Sequence, residues 1–293
     1  MSLKKSRFPI LLSCWIGILC AGNFVEIIWR VLLHGNENSL WIPAIQGAGL
    51  LGVTAASFRL SSLRAARGFF LALLAFAAGD WACWLIESSS VWIDKAGALP
   101  VEYQMTARTL LSFIPALLML LTLSGSGLGR KDVFISKGSL DAESRMPFGI
   151  RAVRWTILGP ALAVIFVLPL VLQLTLTLHP NFSMAAKAMR ALPAILVFAA
   201  LNAVSEEFRF RSVLIARIHP VVGTGHTLLM TSALFGLAHW FGHPSGPTGV
   251  LLAGFAGWFW GKAMIETEGI GWSWLIHAAQ DVAIVAFVIM AAR

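Results

Sequence analysis

Leu192-Pro193-Ala194-Ile195-Leu196-Val197-Phe198-Ala199-Ala200-Leu201 is an apolar run, and close behind it stand Ser205-Glu206-Glu207-Phe208-Arg209-Phe210-Arg211. A membrane-crossing helix needs about 20 mostly apolar residues. Ionisable groups inside such a segment are costly, so by default they mark a functional site. Here two adjacent carboxylates and two arginines fall in one. Later apolar runs bring further polar groups: His239, then His277 and Asp281. The C-terminal half therefore reads as a polar cavity inside a helical bundle.

Composition supports that reading across the whole chain. Of its 293 residues 58% are hydrophobic and 12% charged, and the mean hydropathy is +0.79. Soluble domains carry roughly 25% charged residues. The fold class expected is all-α, a polytopic transmembrane bundle of eight or nine spans. The net charge of +8 does not point to nucleic acid, because the positive residues lie in short loops between apolar runs, where membrane orientation is encoded. Cys14, Cys20 and Cys83 fall in apolar runs without a C-x-x-C pair, which suggests neither a disulfide framework nor a zinc–thiolate site. The basic start at Lys4, Lys5 and Arg7 precedes an apolar run with no small-residue cleavage site, so it is read as a retained first span.

The expected spans cover residues 8–33, 40–58, 68–86, 105–124, 155–178, 191–215, 226–241, 249–265 and 271–290. Basic residues cluster in every second connection: at the N-terminus, at Arg59, Arg64 and Arg67, at Arg130 to Arg154, at Arg209 to Arg217, and at Lys262. Nine spans with the N-terminus cytoplasmic satisfy the positive-inside rule. The expected location is a bacterial cell membrane. The longest polar stretch divides the chain into a four-span unit of unassigned role (1–125), a basic cytoplasmic linker (126–154) and a core carrying the polar motifs (155–293). In the first of these, Glu26 and Arg30 are four apart and share a helix face, where they either pair with each other or handle substrate.

Three motifs carry the chemistry. Glu206 and Glu207 point about 100° apart on a helix, so the two carboxylates are not expected to share one task. Glu207 and Arg211, four apart, can form an ion pair. That leaves Glu206 facing elsewhere, available to accept a proton. Alternatively, both glutamates sit with the arginines at the cytoplasmic interface. Phe235-Gly236-Leu237-Ala238-His239 is followed by His243, four residues on, a spacing that can grip a metal. Gly242 and Pro244 argue that the helix ends there. His277 and Asp281 lie on one face of the last span, where the aspartate can orient the ring or simply bind helices together.

Depth favours a joint site. At 1.5 Å per residue, Glu206 stands about 15 Å above the inner end of its span, His239 about 20 Å, His277 about 9 Å and Asp281 about 15 Å. All four fall in one layer, and independent interfacial charges have no reason to converge there. Gly249, Gly254, Gly257 and Gly261 allow close helix packing in span eight.

The ordered motifs Glu206-Glu207-x-x-x-Arg211, Phe235-x-x-x-His239 and His277-x-x-x-Asp281 resemble the CAAX-protease and bacteriocin-processing (CPBP, ABI) family of intramembrane endopeptidases. The resemblance runs from about Arg151 to Arg293. It implies hydrolysis of a peptide bond in a membrane-associated protein or peptide. It further implies Glu206 as general base, His239 as its helper in holding water, His277 and Asp281 at the oxyanion, and Glu207 and Arg211 as braces. The prenyl-protease branch usually carries Asn at the last position. Asp281 cannot donate a hydrogen bond when ionised, so it is protonated, or orients His277, or binds a metal. Zinc held by Glu206, His239, His277 and Asp281 is the metal-dependent alternative; the metal-free one is favoured. Two other classes use the same polar layer: a proton-coupled transporter and a non-catalytic membrane scaffold. The sequence shows no repeated halves of the kind frequent in transporters. Substrate prenylation and oligomeric state are not legible in it.

Overall fold

The computed structural model describes residues 8–36, 39, 41–145, 151–242 and 244–292. His243 and the basic residues before Phe8 lie outside this set. The chain is helical almost throughout the described residues. Its main helices are α1 (Phe8–Ala21), α2 (Trp41–Arg59), α3 (Arg67–Glu87), α4 (Val101–Leu111), α5 (Phe113–Leu121), α6 (Trp155–Leu178), α7 (Leu192–Glu207), α8 (Val213–Val222), α9 (Thr224–Ala238), α10 (Gly246–Thr267) and α11 (Gly271–Ala291). One short antiparallel pair joins Glu143–Ser144 to Val153–Arg154.

Among the described residues, five helical segments are long and apolar enough to cross a membrane: Trp41–Arg59, Ser61–Glu87, Val101–Leu121, Trp155–Leu178 and Gly271–Ala291. Two bent pairs raise the number to seven: Phe8–Ala21 with Phe24–Leu32, and Phe182–Arg190 with Leu192–Val222. The chain is thus an integral membrane protein of the all-α class. The nine expected segments include residues 226–241 and 249–265, which fall outside this measure. Helix α9 has only 15 residues, about 22 Å at 1.5 Å per residue and short of the hydrocarbon thickness. Helix α10 is long enough at 22 residues, but carries Lys262 and Glu266 near its end.

The chain divides into two compact units, each assembled from several segments. Residues 1–82, 115–129 and 209–258 form the first; residues 83–114, 130–208 and 259–293 form the second. In the first, α1 packs on α2 and α8 on α9. Phe76, Phe210 and Phe235 form a row of edge-on rings with centroids 5.2 Å apart at each step, a favoured aromatic geometry. Glu26 and Arg30 pair at 2.9 Å, as their spacing suggests. Small residues bring helices together: a side chain on Gly236 of α9 would meet the backbone of α10 at Val250 and Gly254. Gly79 of α3 is tighter still, since an added Cβ would overlap the backbone of Pro115. Backbone cannot swing aside as a side chain can. Gly79→Ala is therefore expected to destabilise the protein by about 1–3 kcal/mol, as overpacking does, and to lower its melting temperature in detergent. An unchanged melting temperature would contradict this contact.

In the second unit, α11 packs against α6 and α7, and α7 against α4. Leu170, Leu174, Ile195, Phe198, Val285 and Ile289 form the apolar core of that assembly. Glu266 of α10 gathers three donors: Lys262 Nζ one turn before it on the same helix, the Arg145 backbone N–H at 3.1 Å and Trp155 Nε1 at 3.0 Å. A half-buried carboxylate is stabilised by such partners. They fasten the segment beside the strand pair to the C-terminal helices.

Candidate active site

The apolar positions of α7 and α11 bury those helices against each other, and the polar residues of the same faces are carried in with them. His277 projects from the second turn of α11 and is 4% exposed. Its Nδ1 lies 2.9 Å from Oε1 of Glu207, which is fully buried. A carboxylate oxygen accepts, so Nδ1 carries the proton of that bond. On the other side of the ring, Nε2 lies 3.5 Å from Oε2 of Glu206 and 3.8 Å from Oδ2 of Asp281. Glu206 keeps 18% of its side chain exposed, more than Glu207 or Asp281.

The two glutamates were expected to serve separate tasks because they diverge on the helix. They do diverge, yet both approach the same imidazole, one at each nitrogen. The roughly 100° between them is what allows a single ring to fit between. Glu207 is also the residue for which an ion pair with Arg211 was expected from a spacing of four. Glu207 also bonds the ring of His277. Between Glu207 and Arg211 the chain winds as a π-helix, Phe208–Ser212, a wider turn often found at functional sites.

Two residues complete the surroundings of His277 without having been anticipated. Trp260 stacks on the imidazole with ring centroids 4.3 Å apart and planes inclined by 18°. Asn202 donates from Nδ2 to Oδ2 of Asp281 at 3.1 Å. Asn202 is one helical turn before Glu206, a spacing that places both on one face of α7; that relation was available in the sequence. Trp260, one of twelve tryptophans, carries no such signal. Trp274 Nε1 donates to the Ala200 carbonyl at 3.0 Å and ties the start of α11 to α7.

Arg211 and His239 belong to the other compact unit. Arg211 is fully buried, lies over the Phe235 ring at 4.2 Å and donates from Nε to the Gly257 carbonyl at 3.3 Å. A Cβ on Gly257 would stand 2.8 Å from its Nη2, so this glycine makes room for the guanidinium. His239 ends α9 with Nδ1 2.9 Å from the Phe235 carbonyl. That bond requires the proton on Nδ1, so a neutral ring presents Nε2 as an acceptor. In the same unit Arg209 pairs with Asp80 at 3.0 Å.

Residues 188–283 match the family model described as type II CAAX prenyl endopeptidase, Rce1-like. This segment is an Rce1-like domain. It contains Glu206, Glu207, Arg211, His239, His277 and Asp281, the residues of all three motifs. The family that this segment resembles is described as one of prenyl endopeptidases, which are proteases. No curated protein and no solved structure matches the chain. The Rce1-like domain ends before the last turns of α11 and begins after α6, so the helices that precede it owe their description to the structure alone.

Among the described residues no three or more His, Cys, Asp and Glu side chains are arranged to hold a metal ion. His277 commits Nδ1 to Glu207, and Asp281 accepts from Asn202.

Proposed function

We propose that the chain is an intramembrane endopeptidase in which Glu206 activates a water against a peptide bond. The observation that carries this is the pairing of the partly exposed Glu206 carboxylate with Nε2 of His277, while buried Glu207 holds the opposite nitrogen. One side chain can reach water; the others fix the ring beside it.

Glu206 takes a proton from the water as its oxygen attacks the carbonyl carbon. The carbonyl oxygen becomes an oxyanion, and because Nδ1–H is given to Glu207, the donor proposed to stabilise it is Nε2–H of a His277 ring protonated on both nitrogens. A fixed donor in a site of low dielectric is most effective where charge develops. When the C–N bond breaks, the proton on Glu206 passes to the leaving amine, and the carboxylate is restored. Asp281 faces the same ring nitrogen and orients it. Trp260 limits tilting of the imidazole by stacking. His239 enters this account from its motif, as a second group holding the water; Arg211 enters as a brace. A cytoplasmic N-terminus and a bacterial membrane are proposed from the charge pattern and the resemblance.

The description of the matched family adds a first substrate class, a prenylated carboxy-terminal CAAX segment. The test uses the full chain reconstituted in liposomes with a farnesylated CAAX reporter peptide and its unprenylated counterpart. Release of the terminal tripeptide is followed by mass spectrometry. Cleavage of the farnesylated form alone supports a prenyl endopeptidase, and cleavage of both supports a broader peptidase. If neither is cut, the CAAX substrate class is withdrawn.

A further inference from the structure

Helix α4 lies outside the Rce1-like domain, yet it reaches the same group of residues within the second unit. Thr109, 3% exposed, donates from Oγ1 to Oδ1 of Asn202 at 3.2 Å. The Asn202 amide in turn donates from Nδ2 to Asp281, whose Oδ2 faces Nε2 of His277. One turn along, the hydroxyls of Ser112 and Ser205 are 2.7 Å apart, and Ser205 Oγ also donates to the Ser112 carbonyl at 3.3 Å. Asn202 and Ser205 are three apart and share a face of α7. Two polar contacts therefore join α4 to the helix that carries Glu206.

The contacts differ in what they determine. An asparagine amide can present either its oxygen or its nitrogen to a neighbour. A hydroxyl donating to Oδ1 selects one orientation, the one that turns Nδ2 toward Asp281. A carboxylate needs that donor; an amide oxygen facing it would repel it. The serine pair has no such directional link to the imidazole.

We infer that Thr109 is a positioning residue of the active site, setting the Asn202 amide so that Asp281 is held toward the His277 ring. The inference rests on the endopeptidase reading and gives α4 a part in the reaction. A loss of alignment of about 1 Å between reacting groups can cost on the order of 100-fold in rate. Thr109→Val keeps the shape of the side chain and removes the donor. Thr109→Ser keeps the donor.

The experiment compares the rates at which new peptide termini accumulate in membranes of cells making equal amounts of wild type, Glu206→Gln, Thr109→Val or Thr109→Ser. Melting temperatures of the purified variants in detergent are measured alongside. Nuclear magnetic resonance of histidine-labelled protein in nanodiscs then follows the His277 ring nitrogens, assigned by their loss in His277→Asn. Thr109→Val is expected to slow cleavage about 10-fold to 100-fold, to shift the His277 ring resonances and to leave the melting temperature nearly unchanged. Thr109→Ser is expected to behave as wild type. If Thr109→Val cuts as wild type does while Glu206→Gln is silent, the positioning role is wrong and the endopeptidase reading stands. Equal loss in the valine and serine variants, or slower cleavage with unmoved His277 resonances, also overturns it. If no termini depend on Glu206, the endopeptidase reading falls and takes the inference with it.

Discussion

Glu206→Gln is expected to lower the rate of peptide-bond cleavage about 100-fold to 10,000-fold, the usual contribution of a positioned general base. Glutamine has the size of glutamate, so the packing of α7 against α11 is retained. What disappears is the ability to take a proton from water. Glu206 is the suitable carboxylate of the three around His277 because it is the most exposed of them, at 18% against 0% for Glu207 and 8% for Asp281. The same change at Glu207 acts differently, since that side chain is a partner of the ring and has no access of its own. The measurement is cleavage by matched amounts of reconstituted wild type and variant, with melting temperature as the control for folding. Cleavage within a factor of a few of wild type would remove Glu206 from the role of base.

The second large effect concerns His277. Its imidazole lies between Glu207 and Glu206 and stacks on Trp260, so removing it takes away the proposed oxyanion donor and a structural partner together. His277→Ala leaves the buried Glu207 carboxylate without the ring that donates to it. Breaking a buried charged or hydrogen-bonded pair from one side costs about 3–5 kcal/mol. Both activity and melting temperature are therefore expected to fall. The double variant Glu207→Gln with His277→Phe separates the two losses. Phenylalanine preserves the stacking surface for Trp260, and glutamine removes the buried charge. Stability is expected to recover in part, while cleavage stays at background. Recovery of cleavage in the double variant would show that the imidazole is dispensable for chemistry.

The legible part of this site was what depends on helical period and on the cost of polar groups in apolar surroundings. Glu206, His277 and Asp281 each stand out against an apolar run, and depth alone placed them in one layer. The structure brings Glu206 and Asp281 within 4 Å of the His277 ring. The relation of Glu207 to the ring was not legible. Local spacing offered Arg211 as a partner, and it carries no signal for a bond from a helix 70 residues on. Sequence spacing ranks near neighbours, while tertiary packing chooses among all of them. Thr109 illustrates the same limit more sharply, being a single hydroxyl 93 residues from Asn202.

The helical class was readable from composition, but the spans were less so. Hydropathy distinguishes apolar from polar stretches and does not sense where a helix bends. The first expected span is broken by 63° after Ala21, and the sixth follows a bend of 73° near Arg190. The π-helix at Phe208–Ser212 is equally silent, because its residues would suit an ordinary helix as well. Gly257 was read as a close-packing residue, and the structure gives that reading a specific content: the space it leaves is taken by Arg211.

Proteolysis in the membrane is tested most directly by comparing membrane-peptide termini between cells carrying wild type and cells carrying Glu206→Ala, at matched protein levels. A set of new termini present with wild type and missing with the variant is expected, and that set would define the substrate. Identical termini in the two, with His239→Ala equally without effect, would contradict the endopeptidase account and return the polar layer to transport or scaffolding.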